Sequence, residues 1–287
     1  MKAAQVVEPG RIEIEDVPLP EPGDGQVRVK IEGCGVCASN VPPFEGRDWF
    51  SYPMEPGRLG HEAWGTTDDG RRVATLVNTA YAEYVVADRD GLIDLPPTLE
   101  GLPFPGEPLA CAMNIHDRTG HKAGDVVLVV GVGFLGALLA RLYAADGCTV
   151  LATSRRAEAL PFAETADARP LDDHWPIIEW VKSNTEGRGA DVVVECTGKQ
   201  WPLDVCGDAV REMGRLIIAG YHQDGLRQVN LQTWNWKGLD VINAHEREAG
   251  RYVDGAAHAV DVAARLALVR VNHVEPLPVP RLQVHLP

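Results

Sequence analysis

The stretch that most constrains this chain runs Val126-Val127-Leu128-Val129-Val130-Gly131-Val132-Gly133-Phe134-Leu135-Gly136. Five successive apolar residues, mostly β-branched, suit a parallel strand buried on both faces. Glycines at 131, 133 and 136 follow in G-x-G-x-x-G spacing, and Leu135, Leu138, Leu139 and Leu142 then recur at helical spacing. The glycines therefore lie between a predicted strand and a predicted helix, the context a dinucleotide fingerprint requires. Gly131 permits the tight turn, Gly133 lets backbone approach a pyrophosphate, and Gly136 lets helix pack on strand. Phe134 and Leu135 open the helix, whose free N–H groups face the phosphates. The pattern points to a nucleotide-binding βα unit in preference to a merely structural βα turn.

The 287 residues leave room for about two domains. The net charge is −14, with 27 Lys and Arg against 41 Asp and Glu, and no basic block interrupts the acidic balance. Nucleic acid and anionic membrane are therefore unsuitable partners. The N-terminus lacks the apolar core of a signal peptide, and no apolar run spans a bilayer. Six cysteines in a chain of this size do not read as a disulfide framework, so the expected compartment is the cytoplasm.

The first hundred residues are β-rich. Ile12 and Ile14, then Val27, Val29 and Ile31, alternate with polar neighbours and predict half-buried antiparallel strands. After the second of these comes Gly33-Cys34-Gly35-Val36-Cys37-Ala38-Ser39-Asn40, and Gly60-His61-Glu62 follows a proline- and glycine-rich loop. Cys34 and Cys37 alone form a C-x-x-C with no second pair to complete a structural zinc site. Buried, inert cysteine is the better reading for Cys34, and a lone His61 is more often an ordinary hydrogen-bonded histidine, but Cys37 paired with His61-Glu62 upstream of a nucleotide fold shifts the odds toward ligands.

Cys37-Ala38-Ser39, Gly60-His61-Glu62, Glu107-Pro108-Leu109-Ala110, the Gly131–Gly136 fingerprint and Asp191-Val192-Val193-Val194-Glu195-Cys196-Thr197-Gly198 together resemble the medium-chain dehydrogenase/reductase family, in its zinc-dependent alcohol and polyol branch. The resemblance covers roughly residues 1–250. It implies an α/β chain with a GroES-like β-barrel catalytic domain (1–115), a Rossmann doubly wound parallel-sheet domain (116–247) and a C-terminal return to the catalytic domain (248–287), the last apparently shortened. It implies Cys37 and His61 as zinc ligands, with Glu107 or Glu62 as an acidic ligand and Cys111 a rival, expected to face the core of a helix starting near Leu109. A thiolate, an imidazole and a carboxylate would leave Zn²⁺ nearly neutral with one position open. Ser39 would pass the proton.

Three departures stand out against the family pattern. Asn40 replaces an aspartate behind the metal, and Pro42 replaces the histidine that ends a proton relay in some members. The four-cysteine lobe is missing, so one catalytic zinc and no structural zinc is expected.

In the nucleotide half, Thr149–Thr153 predicts the second parallel strand. It ends in Ser154-Arg155-Arg156 rather than the acidic residue that binds ribose hydroxyls in NAD-specific folds. Serine with guanidinium can hold a 2′-phosphate, which favours NADP, with NAD the alternative. Cys196 and Thr197 end another buried strand, and Gly220 borders the nicotinamide by position. Leu203–Met213 reads as helix, Leu239–Asn243 as an edge strand through which family members dimerise, and Val253–Leu268 as helix. Prolines at 276, 278, 280 and 287 mark a tail with no clear element.

The reading is a zinc-dependent oxidoreductase moving hydride between NADP(H) and a small alcohol, polyol or carbonyl, assembled as a homodimer or homotetramer. Its rivals are a zinc-free NADPH quinone or enone reductase and a non-catalytic nucleotide-binding homologue.

Overall fold

The computed structural model describes residues 1–245 and 249–270. The chain opens with a hairpin of β1 (Lys2–Glu8) and β2 (Arg11–Asp16). Next come β3 (Gln26–Cys34), the short helix α1 (Val41–Glu45), β4 (Ala63–Thr67), β5 (Arg72–Thr75), β6 (Tyr84–Asp88) and β7 (Leu92–Asp94). Strands β3 to β7 pair antiparallel in the order β6-β3-β4-β5-β7. The period-two pattern in β3 works as read: Val27 and Val29 are buried while Lys30 faces solvent. In β2 the alternation is present but Ile12 and Ile14 remain 54% and 59% exposed. That strand pairs only with β1, so the five-stranded sheet does not cover its apolar face.

The second half is α2 (Gly106–Thr119), β8 (Val126–Val130), α3 (Phe134–Ala145), β9 (Thr149–Thr153), β10 (Asp167–Arg169), α4 (His174–Ser183), β11 (Ala190–Glu195), α5 (Gln200–Ala209), β12 (Val210–Ile218), α6 (Leu231–Lys237), β13 (Asp240–Asn243) and α7 (Ala249–Arg270). Its six strands are all parallel, ordered β10-β9-β8-β11-β12-β13. The order reverses between β8 and β11, and ligands bind at such a switch point. Successive residues of β8 serve opposite faces: Val127 and Val129 pack with Leu139 and Tyr143, Leu128 and Val130 with Ile177 and Val205. Each such side chain, fully buried, contributes about 1.5–3 kcal/mol.

Helix α3 lies close on this sheet because Gly136 has no side chain. A Cβ there would stand 2.0 Å from the Gly131 carbonyl oxygen. The helix expected over Leu203–Met213 instead runs Gln200–Ala209, and Val210 already pairs with Ala190 as strand. Apolar spacing at 203–210 fits both elements. The turn that follows decides between them, because Met213 sits at φ +54, outside helical space. Strand β13 is the sheet edge, as the sequence suggests. Helix α7 then packs back on α2 and β7, where Ala256, Ala259 and Val260 meet Ala110, Met113 and Ile93. The 247/248 boundary and the proline-bearing tail lie outside the described residues. Among the described residues no helix is long and apolar enough to cross a membrane.

Candidate active site

The turn after β3 carries Cys37, Ser39 and Asn40. Asn40 is 8% exposed, and its Oδ1 accepts the Cys37 N–H at 3.2 Å while its Nδ2 donates to the Leu59 carbonyl at 3.1 Å. The Tyr81 hydroxyl lies 2.8 Å from the same Oδ1. Where the family carries a charge, this chain fixes the turn with a neutral amide. His61 Nδ1 lies 2.8 Å from that same Leu59 carbonyl. A carbonyl can only accept, so Nδ1 bears a proton, and in the neutral imidazole that binds a metal Nε2 is left with its lone pair. Leu59 holds φ +81, a left-handed conformation rare for a branched side chain, and its carbonyl serves both residues.

Ligand atoms of Cys37, His61 and Glu62 lie within 4.8 Å of one another. Glu62 reaches this cluster because residue 35 is glycine: a Cβ on Gly35 would stand 1.9 Å from Glu62 Oε2. Hydrogen bonding to the Cys37 sulfur outweighs burial and raises His61 to about 9. Burial, reinforced by the nearby Glu107 carboxylate, pushes Glu62 upward. A buried carboxyl, thiol and imidazole crowded together are groups that a divalent cation would neutralise. Sulfur, nitrogen and oxygen donors with an open fourth position fit zinc.

Glu107 stands in the first turn of α2 and is raised by burial. The helix starts at Gly106, ahead of the expected Leu109, so Cys111 lies one turn beyond Glu107 on the same face. Its Sγ donates to Glu107 Oε1 at 3.3 Å instead of facing the core, and burial pushes this thiol up. The convergent group includes Glu62 and leaves Glu107 and Cys111 behind it. Ser39 is half-buried in the Cys37 turn, and the preceding carbonyl, Ala38 O, accepts from Gln223 Nε2 at 3.0 Å.

A cavity of about 310 Å³ opens over the carboxyl ends of β8 and β11. Gly131, Gly133, Ser154, Arg155, Arg156, Cys196 and Thr197 line it, as do Lys199 and Trp201, which sequence reasoning did not single out. Gly131 takes φ +102, and a Cβ there would strike the Thr197 methyl at 2.4 Å. Ser154 Oγ accepts the Arg156 N–H at 3.1 Å. The Arg155 guanidinium lies 5.5 Å over the Trp201 ring, a cation–π contact that holds its charge at the rim. Phe134 is 55% exposed at the helix start, Leu135 packs into the core, and Gly220 lies under the Gly198 turn instead of lining the cavity.

These comparisons with known proteins bear on the geometry. Residues 131–261 match the zinc-binding dehydrogenase family. A sorbitol dehydrogenase of Halalkalibacterium halodurans is 26% identical, covering 83% of this chain and 82% of its own. An alcohol dehydrogenase of Rhizobium meliloti is 30% identical over 270 residues, 77% of each chain. The crystal structure of a zinc-binding dehydrogenase from Sinorhizobium meliloti 1021, bound to NADP, superposes with TM-score 0.80 at 25% identity, covering 93% of this chain and 89% of that one. The chain belongs to the medium-chain dehydrogenase/reductase family. Its class of chemistry is oxidoreduction.

One feature of this medium-chain dehydrogenase/reductase has no signature in the sequence. Glu195, fully buried at the end of β11, accepts from the Thr197 and Gly198 amides at 2.7 and 2.9 Å, and His222 Nε2 lies 3.0 Å from its Oε2. Arg227 Nε donates to His222 Nδ1 at 2.9 Å, so the imidazole is neutral and gives its one proton to Glu195. Arg227 also pairs with Asp224, which pairs with Lys199 on the cavity wall. This network ties the loop after β12 to the Thr197 turn. Glu195 was legible as the end of a strand. Its partners, 27 and more residues away, were not.

Proposed function

We propose that this chain is a zinc-dependent, NADP-preferring alcohol or polyol dehydrogenase, working at a cleft between a catalytic half (1–115) and a nucleotide half (116–247). The observation that carries the reading is the convergence of Cys37, His61 and Glu62 within 4.8 Å, with the Glu107 carboxylate of α2 near enough to act on His61 and Glu62. The proposed ligands are Cys37, His61 and Glu62, with Glu107 supporting them from α2.

Bound there, zinc would supply Lewis acidity that makes an alcohol more acidic or polarises a carbonyl, while the nicotinamide would take or give the hydride. The chain's own residues do the rest. Ser39 takes up and returns the proton at its Oγ, two residues beyond Cys37. Leu59 and Asn40 keep the His61 tautomer and the Cys37 turn in place, as supports of metal ligands commonly do. The Gly131 turn and the start of α3 offer N–H groups to the pyrophosphate. Ser154 and Arg155 receive the 2′-phosphate. The edge strand β13 is the proposed subunit contact in a dimer or tetramer, and the small-molecule relatives support a small alcohol as substrate.

The deciding experiment is NADP⁺ reduction by the purified protein with a panel of polyols and secondary alcohols, before and after chelation. Turnover that chelation abolishes and zinc restores is expected. Chelator-insensitive reduction of quinones or enones by NADPH would instead support the zinc-free rival.

A further inference from the structure

Helix α2 has chemistry at both ends. Glu107 and Cys111 occupy its start, while His116 lies nine residues past Glu107, about 14 Å along the axis. His121 follows just beyond the left-handed Gly120 that ends the helix, and Asp146 caps α3. These three residues come from separate turns and converge. Asp146 Oδ2 lies 2.8 Å from His121 Nε2 and 3.0 Å from His116 Nε2, and the ring centroids are 4.5 Å apart. Ligand atoms of all three fall within 4.8 Å of one another.

The two histidines are packed in place. Their side chains are 12% and 9% exposed, and both rings lie against Tyr143, whose hydroxyl is fixed 2.7 Å from Thr119 Oγ1. Hydrogen bonding accounts for only part of the arrangement. His116 Nε2 is buried beside the carboxylate without forming a hydrogen bond to it, and His121 Nδ1 and His116 Nδ1, the latter 3.7 Å from Asp117 Oδ1, are also buried without a hydrogen bond. Leaving a buried polar atom unmatched is costly, and His116 Nε2, unmatched where His121 Nε2 and Asp146 Oδ2 also point, is the atom that calls for a ligand. Asp146 is half exposed, so solvent reaches the open side and can complete a coordination shell.

We propose that His116, His121 and Asp146 form a second divalent-metal site, distinct from the Cys37 cluster, that takes Zn²⁺ through Nε2, Nε2 and Oδ2. Two imidazoles and a carboxylate are borderline donors suited to zinc, with water as the remaining ligand. The ion would clamp the end of α2 to the end of α3. It thereby adds a metal to the single zinc expected from the sequence, where the missing cysteine lobe pointed to no structural metal.

The test is zinc content per chain after growth in zinc and extensive dialysis, in wild type, His121→Asn, Asp146→Asn and Cys37→Ser. His121→Asn and Asp146→Asn should each hold one zinc fewer than wild type and keep wild-type turnover. Cys37→Ser should still bind one zinc, and its melting temperature should rise on adding ZnCl₂. If the Cys37 reading fails while this one holds, wild type and Cys37→Ser both contain one zinc and His121→Asn none. Should His121→Asn fail to fold, the zinc-dependent rise in Cys37→Ser decides alone. Wild-type zinc content in folded His121→Asn and Asp146→Asn, or no zinc-dependent rise in Cys37→Ser, overturns the proposal.

Discussion

Ser39 is not one of the proposed metal ligands, yet it sits in a turn fixed on both sides. Asn40 holds the Cys37 amide, and Gln223 holds the Ala38 carbonyl. Ser39→Ala should therefore leave zinc content unchanged and lower the turnover number by about 10²–10⁴-fold, the usual loss when a general acid–base group goes. Unchanged turnover with hydride transfer rate-limiting would refute the proton role. At the other end of the site, Arg155→Ala should weaken NADP selectively, since NAD carries no 2′-phosphate. A charge-assisted hydrogen bond contributes about 1.5–3 kcal/mol, so kcat/KM for NADP should fall roughly ten- to hundredfold. Ser154→Asp should shift preference toward NAD by repelling the phosphate. Equal losses with both cofactors would reduce Arg155 to a surface charge stacked on Trp201. Cys37, His61 and the glycine triplet were legible in the sequence because their chemistry is written in residue type and spacing. Which of Glu62 and Glu107 comes closest to that pair was not, since the approach of Glu62 depends on empty space at Gly35.

At the scale of elements, periodicity read the strands and helices of the nucleotide half well where one period fitted. Strand β8, helix α3, strand β9 and helix α7 all lie where the pattern places them. It failed at 203–213, where apolar spacing satisfied a helix while Val210 was already strand and the left-handed turn at Met213 followed. It also misplaced the start of α2, and with it the direction of Cys111. The βα unit at the centre depends on close approach. Gly136→Ala would push a methyl against the Gly131 carbonyl, which is backbone and cannot swing aside. Overpacking of this kind costs about 1–3 kcal/mol. Thermal unfolding should shift down accordingly, and NADP affinity should fall because the same movement opens the fingerprint turn. A variant with wild-type stability and affinity would mean that the helix can slide without consequence.

At the scale of the whole molecule, an antiparallel and a parallel sheet are joined by α2, and α7 packs back on α2 and the antiparallel half. The strand patterns announced both sheets, but the packing of α7 on α2 and β7 depends on contacts between residues more than a hundred positions apart. The candidate metal cluster has a global consequence. His61 and Glu62 both bind protons more tightly when folded, so the metal-free native state holds extra protons between about pH 4.5 and pH 9. Stability therefore falls as pH rises through that window, since it changes with the protons bound by the unfolded minus the native state. Melting temperatures of chelated protein from pH 5 to 9 should decline more steeply for wild type than for a His61→Gln/Glu62→Gln variant. Parallel curves would show that these groups titrate as they do in the unfolded chain.

The contact between Gly35 and Glu62 also bears on the history open to such a sequence. A carboxylate at position 62 can enter the cluster only while position 35 stays bare. The two sites are therefore not free to drift one at a time. Alanine at 35 evicts the acid without changing its codon, and a lineage that takes that step must first have another oxygen donor in reach, as Glu107 would be. The order in which substitutions accumulate is thereby restricted, and one missing methyl group selects which ligand sets descendants of this chain can explore.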